Sequence, residues 1–148
     1  MLTSSLEEYL KTIYILYKNK EIIRVTDIAT NMGISKPSVN RAINILKEQG
    51  YIEYSKYENI KLTEKGFHAS IHIIEKYDTI KLFLTEVLKI NEEVATKEAV
   101  NINKGISIET LNKLRDYTDK ILNIQDLRCI NCDKCNKCIK NKKEVTHE

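Results

Sequence analysis

The sequence predicts a mainly α-helical protein: a winged helix-turn-helix at its N-terminal end, then a helical region and a cysteine-rich tail. Three observations carry this. Apolar residues recur at three- and four-residue steps over most of the chain. Two short helical patterns are joined at Gly33 and followed by a period-two stretch interrupted by polar residues. All four cysteines fall between Cys129 and Cys138, where apolar content is low.

The first helix runs from Leu6, with Leu10, Ile13, Tyr14, Leu16 and Tyr17 on one stripe and Ser5 as its expected N-cap. Lys18 to Glu21 turns the chain, Ile22 to Val25 is expected as one short strand, and Thr26 as the cap of a second helix with Ile28, Ala29 and Met32 inward. Gly33 ends that helix because it enters the left-handed region without a Cβ penalty. Ser35 then caps a third helix, and Pro37 sits in its first turn, where a missing N–H costs nothing. This helix turns Val39, Ala42, Ile43 and Leu46 inward and stops at Gly50. Tyr51 to Tyr54 and Ile60 to Leu62 read as a hairpin around polar residues 55–59. Thr63 caps a long helix expected from Glu64 to Leu88, with Phe67, Ile71, Ile74, Leu82, Phe83, Val87 and Leu88 as its apolar stripe. Two further helices are expected near 91–103 and 107–124, the second capped by Ser107. The domains are therefore expected as 1–66, 67–124 and 125–148.

The outward face of the third helix has the chemistry of base and phosphate recognition. Arg41 forks onto guanine, and Asn40 and Asn44 offer a donor and an acceptor to adenine. Lys36, Ser38 and Lys47 suit phosphates, as do Lys56, Tyr57 and Lys61 on the hairpin. The plain alternative is a solvated helix face, against which stands the whole order of helix, turn, helix and hairpin. Net charge is only +3. The basic excess lies at the two ends, ten Lys/Arg against eight Asp/Glu over 1–66 and six against four over 124–148.

No apolar stretch approaches the roughly 20 residues of a membrane span, and the first residues lack a basic start followed by an apolar run, so a cytoplasmic protein without a membrane partner is expected. No Gly-rich phosphate loop, paired carboxylates or Cys–His nucleophile is evident, so no enzyme is expected.

Cys129, Cys132, Cys135 and Cys138 are spaced three apart each time. On a straight helix each such step falls about 60° short of a turn, so four thiols would fan out and not converge. The segment has to coil around a ligand. Zinc sites usually hold two C-x2-C pairs farther apart. The spacing is nearer the C-x2-C-x2-C run of bacterial ferredoxins. An iron-sulfur cluster, a zinc ion, and free or redox-active thiols all remain open. Lys134, Lys137, Lys140, Lys142 and Lys143 would offset thiolate charge or touch phosphate.

The stretches Ser5 to Tyr14 (SLEEYLKTIY), Val25 to Ala29 (VTDIA), Pro37 to Val39 (PSV), Gly50 to Tyr54 (GYIEY), Tyr57, and Leu62 to Gly66 (LTEKG) resemble the diphtheria toxin repressor and manganese transport regulator family. The resemblance covers about residues 4–124. It implies a homodimer on a palindromic operator in double-stranded DNA, with the interface in the helices after the long one. It also implies iron or manganese held between the first helix, the long helix and the one after it. Here the chain departs from the pattern: Glu8 and Lys11 stand at the first-helix ligand positions, Tyr77 at the long-helix histidine, and Val100, Asn103 and Lys104 at the acidic and histidine positions beyond. One carboxylate beside two lysines does not assemble the five or six ligands such ions take. His68 and His72, one turn apart, are a two-ligand pair at most.

The function expected is a sequence-specific DNA-binding transcriptional regulator, responsive to metal, an iron-sulfur cluster or redox through its cysteines. The alternatives are a winged-helix accessory protein of ferrous-iron transport, which would not need the helices after the long one, and an electron carrier, which would leave the winged helix unexplained.

Overall fold

A computed structural model describes residues 2–123. In order, the elements are α1 (Ser4–Asn19), α2 (Val25–Met32), α3 (Lys36–Glu48), β1 (Ile52–Glu53), β2 (Lys61–Leu62), α4 (Glu64–Leu82), a π-helical turn (Phe83–Val87), α5 (Glu92–Gly105) and α6 (Ile108–Leu122). The chain divides into two compact units after Ile73, within α4. Cys129 to Cys138 lie outside the described residues.

In the first unit α1, α2 and α3 pack pairwise, and the two strands pair antiparallel with Ile52 opposite Leu62. Leu10, Ile13, Ile28, Val39, Ile43 and Leu46 make the center of the core. The stripes read from periodicity are therefore the buried faces. Caps differ by a residue or two. α1 starts two residues earlier because the Thr3 hydroxyl accepts from the Leu6 N–H at 3.3 Å. α2 starts at Val25, ahead of Thr26, because the Asp27 carboxylate accepts from the Arg24 N–H at 2.8 Å and satisfies the helix's first donor. Gly33, at φ 65°, ends α2 as expected.

Ile22 to Val25 form no strand. A single ladder-like bond from the Ile60 N–H to the Ile23 carbonyl, 2.9 Å, ties this stretch to β2's side of the hairpin. Thr63 does cap α4, its hydroxyl accepting from the Gly66 N–H at 3.1 Å and donating to the Gly50 carbonyl at 2.6 Å.

In the second unit, the long helix does not continue in α form to Leu88. After Leu82 it widens into a π turn, with the Leu88 N–H bonding the Phe83 carbonyl at 3.1 Å. The Thr85 hydroxyl donates to the Lys81 carbonyl at 3.0 Å, loading an acceptor of the preceding turn. Lys89, at φ 57°, closes the turn. α5 and α6 both pack on the π turn. Ile80, Leu84, Ala95, Ala99 and Leu111 form the core, with Phe83 and Leu114 against it. Leu84 and Leu111 are thus buried within the chain itself, and Phe83 and Leu114 are partly covered by the same cluster. Among the described residues of this unit, the large apolar side chains left exposed are Leu88, Val94, Ile108, Tyr117 and Ile121. Ser107 caps α6 as expected, accepting from the Thr110 N–H at 3.1 Å.

Candidate nucleic-acid interface

α3 presents its polar face because its opposite face is committed to the core. Val39, Ala42, Ile43 and Leu46 are at most 5% exposed. The helix period then turns Lys36, Asn40, Asn44 and Lys47 outward in a single stripe. The start of α3 is held by the Ser35 hydroxyl, which accepts from the Ser38 N–H at 3.4 Å and lies 2.9 Å from the Ser38 hydroxyl.

That stripe lines an open groove of about 750 Å3 together with Arg24, Val25 and Thr26 at the start of α2 and with Tyr54, Lys56, Tyr57 and Glu58 of the wing. Four cations, Arg24, Lys36, Lys47 and Lys56, face one carboxylate, Glu58. The overall charge hides this concentration. Two amides between lysines, in a concave surface of positive potential, is an arrangement that can hydrogen-bond base edges while neutralising phosphates.

Of the residues singled out in the sequence, Lys36, Asn40, Asn44, Lys47, Lys56 and Tyr57 line the groove. Ser38, Arg41 and Lys61 are exposed but do not line it. Arg24, Thr26 and Tyr54 line it and escape sequence reasoning. Arg24 reads as a strand residue until the Asp27 carboxylate is seen to start α2 one residue after it.

The wing tip is a tight turn closed by the Glu58 N–H on the Ser55 carbonyl, 2.9 Å. Its third residue, Tyr57, has φ 70° and is 88% exposed, with the Lys56 ammonium 5.3 Å from its ring center. A bulky residue in the left-handed region costs about 1–2 kcal/mol. Glycine or asparagine would avoid that cost. Behind the groove, the Lys20 ammonium at 2.6 Å, and after it the Arg24 N–H, hold the Asp27 carboxyl below the usual carboxylate range.

Residues 1–60 match the family model described as iron dependent repressor, N-terminal DNA binding domain, and residues 63–123 the model described as iron dependent repressor, metal binding and dimerisation domain. The chain belongs to the iron-dependent repressor family. It is 35% identical over 120 residues to the HTH-type transcriptional regulator MJ0568 of Methanocaldococcus jannaschii, covering 80% of this chain and 96% of that one. It is 28% identical over 116 residues to the HTH-type transcriptional regulator MntR of Bacillus subtilis, covering 78% and 81%. Among solved structures, the metal-dependent transcriptional regulator MtsR is similar with a TM-score of 0.72 at 28% identity, and the manganese regulator SloR with 0.67 at 28%. The match covers 83% of this chain and spans 55% of each of those chains. The protein is a DNA-binding transcriptional regulator of this family, and the similarity supports that function over an accessory role in iron transport.

The residues that the resemblance places at the family's metal-ligand positions do not make a ligand set for a divalent ion. Glu8 lies 3.8 Å from the Lys11 ammonium, whose side chain is 17% exposed. A cation thus stands beside the carboxylate that a metal would need. Tyr77 packs on the second core. Asn103 Oδ1 is buried with no hydrogen-bond partner among the described residues, but it is one neutral oxygen. The His68 imidazole lies 3.9 Å from the Glu64 carboxylate on the same helix. Among the described residues no group of three or more His, Cys, Asp or Glu is placed to hold a metal ion.

Proposed function

We propose that this regulator binds a palindromic operator as a homodimer, with α3 in the major groove and the wing on the flanking backbone, and that its signal is received at the cysteine cluster. The stripe Lys36–Asn40–Asn44–Lys47 within a groove of four cations carries the DNA contact. Asn40 and Asn44 read base edges, with Arg41 beside them on the same exposed side of α3, while Ser38, Lys36, Lys47, Lys56, Tyr57 and Lys61 hold phosphates. In this arrangement 1–66 is the DNA-binding domain and 67–124 the dimerisation region, which pairs through Leu88, Val94, Ile108, Tyr117 and Ile121, the apolar side chains its own core leaves uncovered. Acting on genomic DNA, the protein works in the cytoplasm and has no catalytic role.

The effector site is the tail 125–148, where Cys129, Cys132, Cys135 and Cys138 take a zinc ion or an iron-sulfur cluster. Two facts support this: four thiols at uniform spacing in a segment poor in apolar residues, and a family metal site whose ligands have been replaced. Thiolate ligation orders a segment as it releases protons. A tail ordered next to α6 would shift the balance between dimer arrangements, and so operator affinity.

Two measurements test this. In anisotropy titrations, Asn44→Ala should cost about 1–3 kcal/mol at one position per half-site, and Lys47→Ala should weaken all sequences alike. If Asn44→Ala bound every duplex as the wild type does, α3 would not be the reading element. Metal analysis and a visible spectrum of anaerobically purified protein should show zinc or an air-sensitive chromophore, lost in the Cys132→Ser/Cys135→Ser variant along with effector-dependent DNA binding. Metal-free protein whose operator affinity ignores those substitutions would remove the tail from the mechanism.

A further inference from the structure

The wing is fastened to the connection between α1 and α2 by a small set of bonds centered on Asn59. Its Oδ1 accepts from the Ile23 N–H at 2.7 Å, and its Nδ2 donates to the Glu21 carbonyl at 3.2 Å. One residue on, the Ile60 N–H donates to the Ile23 carbonyl at 2.9 Å. Ile23 and Ile60 are each 1% exposed, so the fastening sits on buried side chains. The carboxamide does what a third strand would do for a connection that has no strand of its own.

This fastening lies at the rim of the groove. Glu58, which precedes Asn59, and Arg24, which follows Ile23, both line it. The wing cation Lys56 and Arg24, the residue just before α2, therefore sit on two segments whose separation is held through Asn59. Two phosphate contacts act together only if their spacing is fixed before binding; otherwise each must be ordered at the cost of affinity.

We propose that Asn59 is a positioning residue for DNA binding: it does not touch the duplex, and it holds Lys56 and Arg24 at the spacing at which both engage phosphates of one half-site. The proposal rests on the DNA reading of the groove given above. It also explains why a hairpin of two-residue strands with a strained tip at Tyr57 can serve as a rigid contact.

The test uses the full chain, an operator duplex and an unrelated duplex of equal length, with binding followed across a salt series. Asn59→Ala should weaken binding to both duplexes about tenfold and flatten the slope of log affinity against log salt by about 1–2 per protomer, since each lost phosphate contact removes about 0.9. Preference for the operator should be kept. Asn59→Ser, which retains one hydrogen-bonding group, should fall between. Lys56→Ala should flatten the slope too, and adding Asn59→Ala to it should cost less than in the wild type. A role in folding alone would lower the active fraction and leave the slope intact, so an unchanged slope in both Asn59 variants overturns the proposal, as does strict additivity with Lys56→Ala. Wild-type protein with no salt-dependent DNA binding would instead overturn the DNA reading itself.

Discussion

Gly66, in the first turn of α4, sets helix propensity against packing, and the two predict opposite signs. Alanine is favored over glycine inside a helix by about 0.8–1 kcal/mol, so Gly66→Ala should stabilise if local preference decided the outcome. A Cβ built at Gly66, however, would lie 1.8 Å from the Tyr51 carbonyl oxygen, 2.8 Å from its carbon and 3.3 Å from Leu62 Cδ2. The first two are backbone atoms, which no rotamer change can move aside. Relieving the contact draws the Tyr51 carbonyl off the Thr63 N–H, now 3.1 Å away, and disturbs the Thr63 hydroxyl on the Gly50 carbonyl at 2.6 Å. Overpacking costs about 1–3 kcal/mol and each lost bond about 1 kcal/mol, so the net loss is about 2–4 kcal/mol after the helix gain. Urea denaturation should show the midpoint falling by about 1–2 M at an unchanged slope. The same displacement would move Tyr51, which joins α3 to the wing, so operator affinity should fall as well. A midpoint equal to or above the wild type's would refute the close approach of α4 to the Tyr51 backbone.

The Asp27 carboxyl is held low by Lys20 and by the Arg24 N–H, so its ionised form stabilises the fold fully above the ordinary value of about 3.9, and that contribution is lost as pH falls through the lower folded value. Asp27→Asn should therefore lower the urea midpoint by a constant amount near neutral pH, worth at most about 1 kcal/mol for so exposed a pair, and the two proteins should converge in acid; parallel curves down to about pH 2 would contradict the cause assigned. Tyr117→Lys with Ile121→Lys should turn a dimer of two chain masses into a monomer in sedimentation runs while leaving the helical spectrum intact; a persistent dimer would place the interface elsewhere. Manganese or ferrous ion added to the Cys132→Ser/Cys135→Ser variant should leave operator affinity unchanged, because Lys11 already pairs with Glu8. A micromolar-range response there would restore the family's metal site.

Much of the fold is legible because it is locally caused. Gly33, Ser35 with Pro37, and Thr63 mark helix ends through the backbone groups of their own neighborhoods, and each does so in the structure. The stripe Lys36, Asn40, Asn44 and Lys47 follows from the burial of Val39, Ala42, Ile43 and Leu46 by the helix period alone. The replaced ligands at Lys11 and Tyr77 are plain in the residues themselves.

Residue type and short-range spacing suffice for the helices of the first unit, the polar face of α3, the family, and the presence of Lys11 and Tyr77 where the resemblance calls for metal ligands. Packing in three dimensions is what brings Arg24, Thr26 and Tyr54 into one groove, ties the wing to Ile23 through Asn59 thirty-six positions away, and leaves no room for a Cβ at Gly66 against Tyr51. It also decided that Leu84 and Leu111 belong to the chain's own core. Those facts concern which distant segments meet and how closely. Contact of that kind is set by the packing of whole elements, which no local pattern of residues encodes.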